Sequence, residues 1–203
     1  MQLATVRIEK PEVRRSRRWP GWRRWLLLGL VAAGCARRAE PHTTGKVENV
    51  MQLTSPAFSE GKPIPGKYTC DGPDGSPLLR WSEPPAGTRS FALVCDDPDA
   101  PMGTWVHWVI YGLPAATREL PDTVAAVEML PSGAKQGLND FRRVGYGGPC
   151  PPPGGPHRYY FKLYALDTEL SLKTRATKRD LLQAMSGHIL AETQLMGTYE
   201  RAQ

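Results

Sequence analysis

The sequence predicts a mostly β domain of antiparallel strands with one late helix, and three observations carry that reading. Three runs, SFALVCDD (Ser90–Asp97), WVHWVIYGL (Trp105–Leu113) and HRYYFKLYALD (His157–Asp167), are rich in aromatic and β-branched residues. Twenty glycines and twenty prolines punctuate such runs, as turns between short strands require. Only one segment, near the C-terminus, carries a clear helical spacing of apolar residues.

Each run fits period two. Side chains alternate sides along a strand, so Phe91, Leu93, Cys95 and Asp97 share one face of the first. Trp105, His107, Val109 and Tyr111 are expected on one face of the second, and His157, Tyr159, Phe161, Leu163 and Ala165 on one face of the third. All three runs are apolar on both faces, which predicts central strands between packed layers. The helix is expected to start at Thr177, whose pairing with Asp180 three residues on is a capping box. Leu181, Leu182, Met185 and Ile189 then form its apolar stripe, with His188 on the same side in a structural role. AETQLMGTY after it alternates loosely and is read as a returning strand.

The chain has 203 residues, enough for one ordinary domain and an appendage. Its net charge of +6 is carried by residues 1–24, where eight basic residues face two acidic ones; residues 25–50 add +1 and the remainder holds −1. A nearly neutral domain without a basic stripe has little drive toward nucleic acid, so none is expected as a partner. Arginines followed by WLLLGLVAAGC (Trp25–Cys35) follow the plan of a secretory signal peptide, since the apolar run is too short to span a bilayer. Ala32-Ala33-Gly34-Cys35 resembles a bacterial lipobox with Cys35 as lipid acceptor, although Ala32 stands where leucine is usual. Arg23-Arg24 before the apolar run also resembles a twin-arginine signal.

The expected organisation is a signal peptide over 1–34, a flexible polar tether over 35–50 and the folded domain over 51–203. This places the protein in the bacterial cell envelope, lipid-anchored or exported. An uncleaved anchor is one alternative. Another is translation from Met51, which would make the protein cytoplasmic.

Three polar residues sit at the ends or on the apolar faces of strands: Asp97 before PDAP, His107 within TWVHW, and His157 after PCPPPGGP. A carboxylate and two imidazoles are costly to bury unless satisfied. Taken singly, a strand histidine is a core residue and an aspartate before proline caps a turn. Together, beside a loop stiffened by prolines and opened by glycines, they suggest an anion cup. Tyr159, on the face of His157, could add an O–H.

DDPDAP, TWVHWVIYGLP and GYGGPCPPPGGPHRYYFKLYALD, in this order, resemble the phosphatidylethanolamine-binding protein family, in its bacterial YbhB/YbcL, Raf-kinase-inhibitor-like branch. SPLLRW (Ser76–Trp81) and GHIL (Gly187–Leu190) extend the likeness across roughly Met51–Tyr199. The resemblance implies sandwich-like antiparallel β-sheets and a small pocket for phosphate- or carboxylate-type anions, including phospholipid head groups. Carried over by motif, the pocket residues are Asp97, Trp105, His107, Pro151, Pro152, Gly154, His157 and Tyr159. The histidines would donate hydrogen bonds to the anion and bind it better at mildly acidic pH. Asp97 would orient one imidazole, and Trp105 and the prolines would form an apolar wall. Eukaryotic members regulate kinases; this chain departs from them with Pro153 where lysine is common.

The expected activity is therefore binding without catalysis and without a cofactor, with a membrane reached through the lipid anchor and a protein target as a further partner. The alternatives are an inhibitor acting on a kinase or protease through its surface, and a phosphate-ester hydrolase using the histidines and Asp97. No G-x-S-x-G elbow is present, and no H-x-H or H-E-x-x-H spacing supports a metal site. Of the remaining cysteines, Cys70 near a turn and Cys150 in a loop are the favoured disulfide pair, and Cys95 is a buried thiol; three free thiols are the alternative.

Overall fold

The computed structural model describes residues 50–201. The expected signal peptide, the Cys35 acceptor and all of the tether except Val50 lie outside the described residues. The strands are β1 (Leu53–Thr54), β2 (Lys62–Pro63), β3 (Leu79–Trp81), β4 (Ser90–Asp97), β5 (Trp105–Pro114), β6 (Glu119–Leu120), β7 (Lys135–Gln136), β8 (His157–Leu166) and β9 (Ile189–Tyr199). One α-helix, α1 (Lys178–Met185), lies between β8 and β9. A six-stranded sheet has the order β2-β9-β8-β4-β5-β7, and a three-stranded sheet the order β1-β3-β6. All pairings are antiparallel except β2 with β9.

The small sheet covers one face of the large one. Phe91, Leu93 and Cys95 of β4, Tyr159, Phe161 and Leu163 of β8, and Trp108 and Ile110 of β5 pack there with Leu53, Leu79, Trp81 and Leu120 of the small sheet. The opposite face, with Ala92, Val94, Val109 and Tyr111, is closed by Leu181 and Met185 of α1 and by Leu170, Leu172 and Ala176. Strand β4, buried along its whole length, is sandwiched between the two cores. This is why its sequence is apolar on both faces.

The expected faces of β4 and β8 match these cores. That of β5 does not, and two bulges explain it. Cys95 faces Trp108 while Asp96 faces Val106, so His107 is an extra residue; Phe91 faces Leu113 while Ala92 faces Tyr111, so Gly112 is another. A bulge reverses the alternation after it. Val109 and Tyr111 therefore leave the face of Trp105 and His107 and enter the core under α1, while Trp108 and Ile110 pack against the small sheet. Gly112 has φ +68°, which glycine adopts without strain.

Helix α1 starts as the sequence suggests. Thr177 accepts from the Asp180 amide, and Asp180 accepts from the Thr177 amide at 2.9 Å. Thr177→Ala is expected to cost about 1 kcal/mol in urea unfolding, the usual value of such a cap. Its end departs from expectation: Gly187, at φ +81°, turns the chain, and Ile189 opens β9 with Leu182 left exposed. His188 lies in that turn, not on the helix, with Nδ1 2.8 Å from Asp167 Oδ1. Asp96, 1% exposed, ties α1 to the sheet by ion pairs to Lys162 (3.2 Å) and Lys178.

Candidate functional site

The site forms where β4, β5 and β8 part at one end of the large sheet. Pairing of β4 with β8 stops at Asp96–Tyr160, which frees Asp97 to face the gap. Asp97 Oδ1 accepts from the Asp99 amide at 2.8 Å, and this turn leads into Ala100–Gly103. Arg158 grips Asp99 with two nitrogens, at 2.9 and 2.7 Å, and holds its carboxyl down at about 2. Asp97 Oδ2 lies 2.8 Å from Nδ1 of His157, the first residue of β8. A carboxylate can only accept, so Nδ1 of His157 carries the proton of this bond.

His107 reaches the same gap because of its bulge. Its Nδ1 donates to the Gly147 carbonyl at 2.6 Å, and its ring meets Phe141 and Tyr159 edge-on at 5.3 and 5.1 Å. Burial pulls the His107 pKa below the usual histidine value, against the opposing pull of the Gly147 carbonyl and Asp97.

The segment that supplies the Gly147 carbonyl is clamped to the turn around Cys70. Tyr146 donates to the Tyr68 carbonyl at 3.0 Å, the Gly148 amide to Asp74 at 2.6 Å, and the Cys70 amide to the Pro149 carbonyl at 3.1 Å. Gly148 is required by close approach, since a Cβ there would lie 2.3 Å from the Tyr68 oxygen. The Cys70–Cys150 disulfide closes the clamp, with Cα atoms 5.4 Å apart. Cys95 is a free, buried thiol whose pKa is pushed well up by burial and by Asp96 and Asp97.

These elements enclose a cavity of about 350 Å³. Of the residues named from the sequence, Asp97, Trp105, His107, Pro151, Pro152 and His157 line it. Tyr159 lies behind His107, fully buried, with a hydroxyl that has no hydrogen-bond partner. Burial, and then the Asp97 charge, push its pKa up. Gly154 sits in the proline-rich loop beyond the lining, at φ +150° and with open space where a Cβ would point. The structure adds Ala100, Pro101, Met102, Phe141 and Cys150 to the wall. Phe141 gave no signal because it lies in a polar loop, LNDFRRVGY, far in sequence from Trp105 and His107, which it touches. The cavity thus joins two imidazoles and a carboxylate to a largely apolar wall. Among the described residues, no group of three or more His, Cys, Asp or Glu is placed to hold a metal ion.

Comparison with known proteins agrees with this architecture. Residues 54–200 match the family model described as phosphatidylethanolamine-binding protein. A UPF0098 protein of Aquifex aeolicus is 51% identical over 154 residues, covering 75% of this chain and 90% of its own. The crystal structure of a Chlamydia trachomatis protein described as a putative phosphatidylethanolamine-binding protein homolog superposes with a TM-score of 0.70 at 46% identity, over 76% of this chain and 99% of that one. Escherichia coli YbcL, described as a member of the mammalian family, gives a TM-score of 0.70 at 36% identity, over 75% and 99% of the two chains. The chain therefore belongs to the phosphatidylethanolamine-binding protein family.

Proposed function

We propose that the domain is a binding module that takes a phosphate- or carboxylate-type oxyanion, free or as a phospholipid head group, in the cavity between Asp97, His107 and His157, without chemical turnover. The observation that carries this reading is the convergence of two imidazoles, each fixed by its Nδ1, on one apolar-walled cavity. Fixed rings lose little entropy on binding, and an apolar wall strengthens hydrogen bonds made inside it. Asp97 lies where it can balance an imidazolium formed at His157. The N-terminal segment, with Cys35 as lipid acceptor, would hold the module at a membrane of the cell envelope.

Asp97→Asn tests the arrangement. The amide keeps the shape but removes the charge behind His157, so binding of acetate and phosphate is expected to weaken about 10- to 100-fold, the range of a charge-assisted hydrogen bond. Calorimetric titration checks this; unchanged affinity in a folded variant contradicts it.

A further inference from the structure

The two histidines are fixed in a particular way. Each uses Nδ1–H as a donor, to the Gly147 carbonyl in His107 and to Asp97 in His157. Neither Nε2 has a hydrogen-bond partner among the described residues, and both rings line the cavity. A neutral imidazole with a proton on Nδ1 has only a lone pair on Nε2. The neutral pocket therefore offers an anion two lone pairs and a carboxylate, all of which repel it. We infer that the proton is an obligatory co-ligand of this site: an oxyanion enters together with one proton, which is taken up at an Nε2 atom and donated from there to the anion's oxygen.

This rests on the anion-site reading above and adds a stoichiometry to it. The groups facing His157 are Asp97 from the end of β4, Asp99 in the following turn and Tyr199 across from it in β9; Arg158, its neighbour, is engaged by Asp99. His107 is faced by Asp97, Asp74 and Tyr159, and by the Gly147 and Gly148 carbonyls. The nearby cations are Arg158, engaged by Asp99, and Arg143, which lies over the Phe141 ring and faces Asp74 at 3.9 Å. Two further donors, the Trp105 indole N–H and the Tyr159 hydroxyl, are buried without partners. Either could donate to an anion oxygen, but neither places a proton between that oxygen and an Nε2 lone pair. Imidazoles that share one anion titrate as a pair, so the uptake belongs to the site and not to either ring.

Methyl sulfate is the suitable probe, because it stays ionised throughout the histidine range and brings no proton. The full chain is titrated with it at about pH 8, above the histidine range, in two buffers of different ionisation enthalpy. The expected result is uptake of about one proton per methyl sulfate, with affinity falling roughly tenfold per pH unit on the alkaline side. Binding at that pH with no buffer-dependent heat overturns the inference while leaving the anion site standing. Absence of binding anywhere between about pH 5 and 8, the range over which an ordinary histidine changes charge, overturns the anion site as well.

Discussion

Removing the disulfide with Cys70→Ser and Cys150→Ser together is expected to lower the stability of the folded domain by about 4.5 kcal/mol, from the loop-closure entropy of its 80-residue separation. The bond leaves an unfolded chain with one long loop closed, and that restriction is lost with it. The hydrogen bonds from Tyr146, Gly148 and Cys70 still tie the two segments in the variant, so the native arrangement survives with a shallower free-energy minimum. Urea unfolding of the oxidised protein against the variant measures the difference. A loss below about 1 kcal/mol would mean that the turn around Cys70 is already ordered in the unfolded ensemble.

The second large effect is expected at Asp96. Its carboxylate is 1% exposed and meets two lysines, whose side chains are 28% and 24% exposed. Asp96→Ala leaves two like charges together under α1 with no counter-ion. Breaking a buried pair in this way costs about 3–5 kcal/mol, and the partial exposure of the lysines places this case at the low end. The damage should concentrate on α1, because Lys178 is its first residue. Amide exchange in Lys178–Met185 would then quicken more than in β4. Lys178→Met is expected to cost far less, since Asp96 keeps Lys162. Equal costs for the two variants would contradict this account.

Where the sequence was legible, the reason is physical periodicity. Strands β4 and β8 were long enough to show period two, and the helix start carried its own cap. Strands β1, β2, β6 and β7 have two residues each and β3 three, too few to show any period. The helix end was misplaced because Ile189 continues the apolar spacing, while the turn at Gly187 sends it into a strand.

The site divides in the same way. Asp97, His107 and His157 stood out because polar residues at the ends or on the faces of apolar strands are conspicuous. The bulge that makes His107 an extra residue has no compositional mark, so the reversed faces of Val109 and Tyr111 could not be read. Nor could the direction of each imidazole. That depends on Asp97 and Gly147, which lie 60 and 40 residues away in sequence.

The most direct test of the central claim is titration of the protein with phosphate, phosphoethanolamine and acetate, alongside His107→Ala and His157→Ala. The account predicts saturable binding of these anions by the native protein and loss of about 10-fold or more in affinity in each variant, as expected when a charge-assisted hydrogen bond is removed. Phosphoethanolamine binding well above phosphate would favour a lipid head group as the natural ligand. A folded protein that binds none of the three, or variants that bind them as tightly as the native protein does, would contradict the account and assign the histidines to the scaffold.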